Sequence, residues 1–411
     1  MTNIASHPQI MKPFRLAVVI SHPIQYFVPL YRELSRDERI DLTVFFCDRW
    51  GTEAYLDPGF GQRLKWDVPL LEGYTYKFLP NLAKKAPHPG FLNEINPAIV
   101  RELRQGNFDA VWLNGHNSIT NLLTIAAAKL TKTRVFMRSE THLRLHRQGA
   151  KKRLRHRVMS NFYRLIDVCL PIGTLNAEFY RAHGVSAEKL HLVPYTVNNQ
   201  FFIDHVRQAD PQKLKVEFGL SDDKPIILFA SKLIDRKRPL DLLKAFHQLQ
   251  QRGVPAQLVY VGSGVLEETL RDYVQTHQVA DVTFCGFQNQ TQLPEFYAAA
   301  DIFAFPTENE PWGLVINEVM CAGLPVVASA EIGAVPDLVH HNVNGLIFNA
   351  GDVDTLSAHL ETLVTQPNLR QRMGANALGM IKRWSYDQCV QGIIAALESV
   401  TLRPALTLST D

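Results

Sequence analysis

Two carboxylates, Glu310 and Glu318, bracket what reads as a helix start in Glu310-Pro311-Trp312-Gly313-Leu314-Val315-Ile316-Asn317-Glu318. Upstream, Ile302–Phe305 is a short apolar run closed by Pro306. Downstream, Leu314, Val315, Glu318 and Val319 open a helical pattern that Gly323 stops. With the helix starting near Gly313, Glu310 stands in the loop at its mouth and Glu318 lies inside. Eight helical steps span roughly 12 Å, too far for the two acids to share one proton or one metal. They can instead hold the two ends of an elongated ligand. The N–H groups at Gly313, Leu314 and Val315 would then face its middle, where a helix N-terminus favours an anion. Hydroxyls, phosphate, hydroxyls is the layout of a nucleotide sugar.

A cationic loop, Ser231-Lys232-Leu233-Ile234-Asp235-Arg236-Lys237-Arg238-Pro239, follows the apolar run Ile226–Ala230. Lys232 leaves the strand end, and Lys237 precedes a helix primed by Pro239. Two ammonium groups there suit a diphosphate. Each contributes on the order of 4 kcal/mol at about 4 Å and an effective dielectric near 20, before desolvation is subtracted. The alternative is a solvated basic loop, since Arg236 and Arg238 share it. In Val261-Gly262-Ser263-Gly264 the third glycine of a dinucleotide fingerprint is missing, with Glu267 in its place, which disfavours a dehydrogenase. Gly264 serves either a tight turn or close backbone approach to a ligand. Phe284-Cys285-Gly286-Phe287 can offer backbone groups to a nucleobase, or simply end a buried strand.

These loops need parallel sheets to carry them. Apolar runs at Leu16–Ile20, Leu42–Phe46, Ala110–Leu113, Arg134–Met137 and Val168–Pro171 alternate with helical patterns, and the second half repeats the scheme. That alternation predicts an α/β protein with helices on both faces of parallel sheets. At 411 residues two doubly wound sheets fit better than one. The break falls at Val193-Pro194-Tyr195-Thr196-Val197-Asn198-Asn199, a polar stretch. It gives domains at 1–195 and 196–383, with 384–411 returning to the first. Ligands bind at the carboxyl ends of such strands, so the site belongs in the cleft between the sheets.

Composition narrows the class. Lys and Arg total 43 against 40 acids, and the hydrophobic and charged fractions, 46% and 20%, are those of a soluble globular chain. The five cysteines lie far apart with no C-x-x-C, which argues against a disulfide framework or a zinc site and for a reducing compartment. The first apolar run is too short for a signal peptide or a membrane span, so a cytosolic product is expected. From Arg144 to Arg157 seven cations occur with no acid. With Leu154, Val158, Phe162 and Leu165 they can form a basic amphipathic helix for an anionic membrane surface or a lipid-diphosphate acceptor. A solvated helix face is the alternative. Nucleic acid is a poor partner, since no aromatic stacking platform accompanies the charge.

The chain resembles the retaining, GT-B-fold glycosyltransferases of family 4 over nearly its whole length. The E-x7-E segment Glu310 to Glu318, followed by Ala322-Gly323-Leu324-Pro325-Val326-Val327-Ala328, carries the resemblance furthest. Lys232 and Lys237 are similar to the family's basic pair, with Lys where Arg is usual at the first. Ile332-Gly333-Ala334-Val335-Pro336-Asp337 resembles its Gly-Gly-x-Pro-Glu turn, and Val193 to Asn198 its interdomain link. The resemblance implies that Glu318 holds the donor ribose and that Lys232 with Lys237 neutralises the diphosphate. Gly313, Leu314 and Val315 would meet phosphate and sugar, and Glu310 the transferred sugar's hydroxyls. It implies no metal and no cofactor beyond a nucleoside-diphosphate sugar, with a glycan or lipid-linked acceptor, for instance in bacterial surface polysaccharide synthesis.

The first half departs from the family. Ser21-His22-Pro23-Ile24-Gln25-Tyr26 replaces a Gly-Gly loop, and Ser139 or Glu140 falls where many members have His. Glu140, His22, His116 and His142 are the acceptor-side candidates, with a satisfied structural histidine as the alternative for each His. Two other activities remain open: a GT-B sugar-nucleotide epimerase and a non-catalytic sugar-nucleotide binder. A glycosidase acid/base pair is excluded by the Glu310 to Glu318 separation.

Overall fold

The computed structural model describes residues 12–57, 59–83, 90–145 and 152–401. The strands are β1 (Phe14–Ile20), β2 (Ile40–Phe46), β3 (Tyr55–Asp57), β4 (Gln62–Leu64), β5 (Tyr76–Phe78), β6 (Ala110–Asn114), β7 (Arg134–Arg138) and β8 (Val168–Cys169). They continue as β9 (Ile226–Ala230), β10 (Gln257–Val261), β11 (Val282–Phe284), β12 (Ile302–Phe305), β13 (Val326–Ser329) and β14 (Gly345–Phe348). Two six-stranded sheets form, ordered β5-β2-β1-β6-β7-β8 and β11-β10-β9-β12-β13-β14. Every pairing within them is parallel. Among the described residues only the β3–β4 hairpin is antiparallel.

Helices cover both faces of the first sheet, which is why its strands read as apolar runs rather than alternations. Along β1, Leu16, Val18 and Ile20 enter one core cluster while Ala17 and Val19 enter another. The strand order reverses beside β1 in the first sheet and beside β9 in the second. Such a switch point opens a crevice at the carboxyl ends of the flanking strands. In the second sheet the flanking loops are those of Lys232, after β9, and Glu310, after β12.

The expected break at Val193–Asn199 is a packed seam rather than a solvated linker. Val193, Tyr195, Thr196 and Val197 are all buried. Thr196 Oγ1 donates to the Trp384 carbonyl at 2.7 Å, and Trp384 Nε1 donates to the Tyr195 carbonyl at 2.9 Å. The Trp384 ring stacks on Trp312 at 5.7 Å. The polar residues of the stretch use their hydrogen-bonding capacity on this seam, which is what permits their burial. Beyond it, the helix Tyr386–Val400 returns to the first domain and packs on the helix Val28–Arg36. Tyr386 donates to the Tyr26 carbonyl at 3.0 Å there. All five cysteines are free, and only Cys285 keeps partial exposure.

Candidate functional site

The two cationic and acidic loops are stitched together before any ligand is considered. Thr307 Oγ1 and the Glu308 amide both donate to the Arg236 carbonyl, each at 2.9 Å. Arg238 reaches Glu308 at 2.8 Å. Behind them the Gly333 amide donates to the Glu310 carbonyl at 2.9 Å. A Cβ on Gly333 would come within 1.9 Å of the Pro311 carbonyl oxygen, so only glycine passes there. Gly313 starts the helix Leu314–Cys321 in the left-handed region, with φ 90°. Its missing Cβ leaves room for Phe305 and Ile332.

One cavity of about 640 Å³ opens in the cleft, lined by Lys232, Lys237, Phe287, Glu310, Gly313, Leu314, Val315 and Glu318. Of the donor-side residues picked from sequence, only Gly264 lies outside that lining. A Cβ at Gly264 would sit 2.5 Å from the Leu233 carbonyl oxygen. Its smallness lets the β10 loop pass the Lys232 loop, a backbone-to-backbone contact rather than a ligand contact.

The expected free ammonium groups are already paired. Glu310 Oε2 accepts from Lys237 Nζ at 2.5 Å and from Arg236 Nη1 at 2.7 Å. Burial pushes the Lys237 amine below its ordinary range, against the pull of Glu310. Lys232 Nζ donates to Asp57 Oδ1 at 2.8 Å. Charges withdrawn from water require a counter-ion, and without a diphosphate these carboxylates supply it. Glu318, 1% exposed, accepts from Tyr26 at Oε1 (2.8 Å) and from Tyr297 at Oε2 (2.5 Å). Burial pushes its pKa up to about 7 while both tyrosine bonds oppose the rise. Tyr26, Asp57, Tyr297 and Arg236 were not picked from sequence. Arg236 showed only as loop charge. Tyr26 and Asp57 arrive from the other domain.

On the acceptor side, a second cavity of about 380 Å³ lies at the carboxyl ends of β1, β6 and β7. Asn114, His116, Arg138 and Glu140 line it, as does Pro311. Adjacent residues, Glu310 and Pro311, thus line the two cavities. Glu140 is exposed in the wall of this cavity. The protein around it raises its pKa, partly offset by a Tyr195 hydrogen bond and the Arg138 charge. His142 lines neither cavity. It is 4% exposed, burial lowers its pKa, and its Nε2 lies 3.2 Å from the Glu310 carbonyl. A neutral imidazole donating there fixes the Glu310 backbone. His22 also lines neither cavity. It lies 2.8 Å from Ser21 Oγ, stacks edge-on against Trp50, and is pushed down to about 4 by burial. Among the described residues no group of three or more His, Cys, Asp or Glu is placed to hold a metal.

A sequence profile of a glycosyl transferase 4-like domain matches residues 23–196, and one of glycosyl transferases group 1 matches residues 210–380. The chain belongs to the family 4-like glycosyltransferases. Among relatives of this glycosyltransferase is the GDP-mannose-dependent alpha-(1-6)-phosphatidylinositol monomannoside mannosyltransferase of Mycobacterium tuberculosis. It is 31% identical over 220 residues, covering 51% of this chain and 56% of the relative. The D-inositol 3-phosphate glycosyltransferase of Segniliparus rotundus is 28% identical over 229 residues, covering 54% and 50%. The chain therefore spans about half the length of the curated relatives it matches. Among solved structures, HepE of Anabaena in complex with UDP aligns at TM-score 0.70 with 18% identity, covering 94% of this chain and all of HepE. A glycosyltransferase from Rickettsia africae aligns at TM-score 0.73 with 13% identity, covering 96% of this chain and all of that one. These likenesses establish the GT-B fold of this chain.

Proposed function

We propose that the protein is a retaining glycosyltransferase moving a sugar from a nucleoside-diphosphate sugar to a glycan or lipid-linked acceptor, in the synthesis of a surface polysaccharide. The observation that carries this reading is the single cavity in which Glu310, Glu318, Lys232, Lys237 and the Gly313 helix tip converge. Glu318 grips the ribose, Lys232 and Lys237 take the diphosphate, and the phosphate faces the N–H groups at Gly313 to Val315. Phe287 lies towards the base. Lys237 and Arg236 both engage Oε2 of Glu310, and in this reading Oε1 binds the transferred sugar's hydroxyls. As the bond to the diphosphate breaks, the sugar carbon becomes oxocarbenium-like and negative charge grows on the leaving group. Cations and helix N–H groups fixed beside that charge supply most of the rate enhancement. The acceptor enters through the cavity holding Glu140 and His116, on the far side of Pro311.

The relatives named above include a GDP-mannose-dependent enzyme, whereas HepE was solved with UDP. The base is therefore settled by screening. UDP-, GDP- and dTDP-sugars are tested for thermal stabilisation, where a ligand at a hundred times its dissociation constant adds about 2.7 kcal/mol. The donor found is then incubated with and without acceptor glycans, and products are read by proton NMR. Transfer with the donor's anomeric configuration kept supports the reading, and inversion overturns the retaining mechanism. Free product from donor alone makes the protein an epimerase, and binding without turnover makes it a carrier.

A peripheral membrane role for the basic helix belongs to the same proposal. No helix among the described residues is long and apolar enough to cross a membrane. In the helix Lys152–Tyr163, however, Leu154 and Val158 are 61% and 57% exposed beside exposed Arg155 and Arg157. Leu143 and Arg144 are exposed just before it. Arg147, Lys151 and the side chains of Lys152 and Arg153 lie outside the described residues. Apolar side chains turned to solvent between cations favour a lipid surface over a packed core.

A further inference from the structure

We propose that Tyr26, Asp57 and Phe60 form an internal stand-in for the donor, a latch from the first domain that the nucleotide must displace. The inference rests on the donor site proposed above. Three of the groups assigned to the donor, Glu318, Lys232 and Phe287, are each engaged by a chemically matching piece of the other domain. The Tyr26 hydroxyl lies on the ribose carboxylate Glu318 at 2.8 Å. The Asp57 carboxylate lies on the diphosphate ammonium Lys232 at 2.8 Å. The Phe60 ring meets Phe287 edge-on at 4.8 Å, with Lys232 Nζ 4.6 Å from its centroid. A hydroxyl, an anion and an aromatic ring thus occupy the places of ribose, phosphate and base.

The hairpin that carries Asp57 and Phe60 is fastened to the base-side loops. Ser263 Oγ donates to the Phe60 carbonyl at 3.0 Å, and Asn289 Nδ2 to the Lys65 carbonyl at 2.7 Å. The Thr291 amide donates to Asp67 at 3.1 Å. Asp57 Oδ1 also accepts from the Gly59 and Phe60 amides at 2.8 and 3.0 Å, so carboxylate and ring move as one unit. Gly59 lies so near Lys232 that a Cβ on it would sit 2.6 Å from Nζ. A diphosphate reaching Lys232 brings negative charge against the Asp57 carboxylate in a half-buried site, where like charges repel steeply. An ammonium bridging both would hold the two anions against each other, and the Gly59 and Phe60 amides keep Asp57 in place. Donor entry therefore lifts the hairpin. The latched state also leaves Gln290 Oε1, buried in the lining of the same cavity, without a partner, a defect that favours exchange. The population of the latched state lowers apparent donor affinity by the competent fraction.

The test uses the full chain with UDP, GDP and dTDP as probes, in titration calorimetry and amide hydrogen exchange. Asp57→Asn keeps an Oδ1 acceptor for the Gly59 and Phe60 amides while removing the charge on Lys232. The expected result is nucleotide binding about tenfold tighter than wild type. Phe60→Ala moves the same way, and in wild type nucleotide addition speeds exchange over residues 59–67. If wild type binds nucleotide but the Asn variant binds it equally or more weakly, or if nucleotide protects the hairpin, the latch is overturned and the donor site stands. Wild type that binds none of the three nucleotides overturns the donor site itself, and the latch with it.

Discussion

Lys237 is paired with Glu310 in surroundings that work against its charge. It is 8% exposed, lies 4.8 Å from the Phe305 ring centroid, and burial lowers its pKa while Glu310 opposes the shift. An ammonium fixed in this way is already desolvated when phosphate charge develops beside it, so little reorganisation is needed at the reaction. Lys237→Ala is expected to cut turnover by about 10²–10³-fold, measured as nucleotide release with saturating acceptor. Wild-type turnover in that variant would remove the diphosphate role. Glu318 makes a different prediction, in the protein without donor. Its carboxyl holds a proton to about pH 7 in the fold but releases it near its ordinary 4.5 when unfolded. Between those values the native state binds more protons. This group's contribution is therefore full at low pH and is lost as pH rises through about 7. Wild-type stability should fall more steeply than that of Glu318→Gln between pH 5 and 8, by on the order of a few kcal/mol at most. Glu94, also raised to about 7 by burial, acts in both proteins and cancels in the comparison. Parallel stability curves would refute the assignment.

At the scale of elements, the long periodic segments were readable and the short ones were not. β9 and β12 fall on the residues their apolar runs mark. The helix Leu314–Cys321 begins where Gly313 places it. By contrast β3, β4 and β5 are three residues each, too short for any period to declare itself. The hairpin that closes the cleft was missed for this reason. The basic helix was legible as a charge run, but only exposure of Leu154 and Val158 separates a lipid surface from a solvated face. Each Arg near an anionic surface contributes about 1 kcal/mol. Arg155→Glu and Arg157→Glu should each weaken sedimentation with phosphatidylserine vesicles by at least about fivefold. Turnover on a soluble acceptor should be unchanged. Equal sedimentation by both variants returns the helix to the solvated-face reading.

The whole molecule is two doubly wound domains whose relative position is set by a few contacts far apart in sequence. At the seam, Trp384 stacks on Trp312 and bonds the Tyr195 carbonyl. Across the cleft, Asp337 caps the helix Thr174–Ala182 from the other domain, accepting from the Thr174 amide at 2.9 Å and from its hydroxyl at 2.6 Å. Trp384→Ala removes a half-buried ring stacked on Trp312 and should cost about 1–3 kcal/mol. Small-angle scattering should show a larger radius of gyration with helix and strand content retained. An unchanged radius would assign the domain setting to the cleft contacts instead.

The sequence by itself determined the two-sheet fold, the Glu310 and Glu318 helix and the Lys232 and Lys237 loop, because each is written in local spacing. Strand runs, a helix-breaking glycine and a proline-primed helix are legible within some ten residues of chain. It also supplied candidates on the acceptor side that the tertiary structure sorted. Glu140 and His116 line a cavity, whereas His142 supports the Glu310 backbone and His22 packs on Trp50. Only the tertiary structure decided what satisfies the buried charges. Tyr26 and Glu318, or Asp57 and Lys232, meet across the cleft from positions far apart in sequence. Pairing at that range is fixed by how two rigid domains face each other, and no local period encodes it.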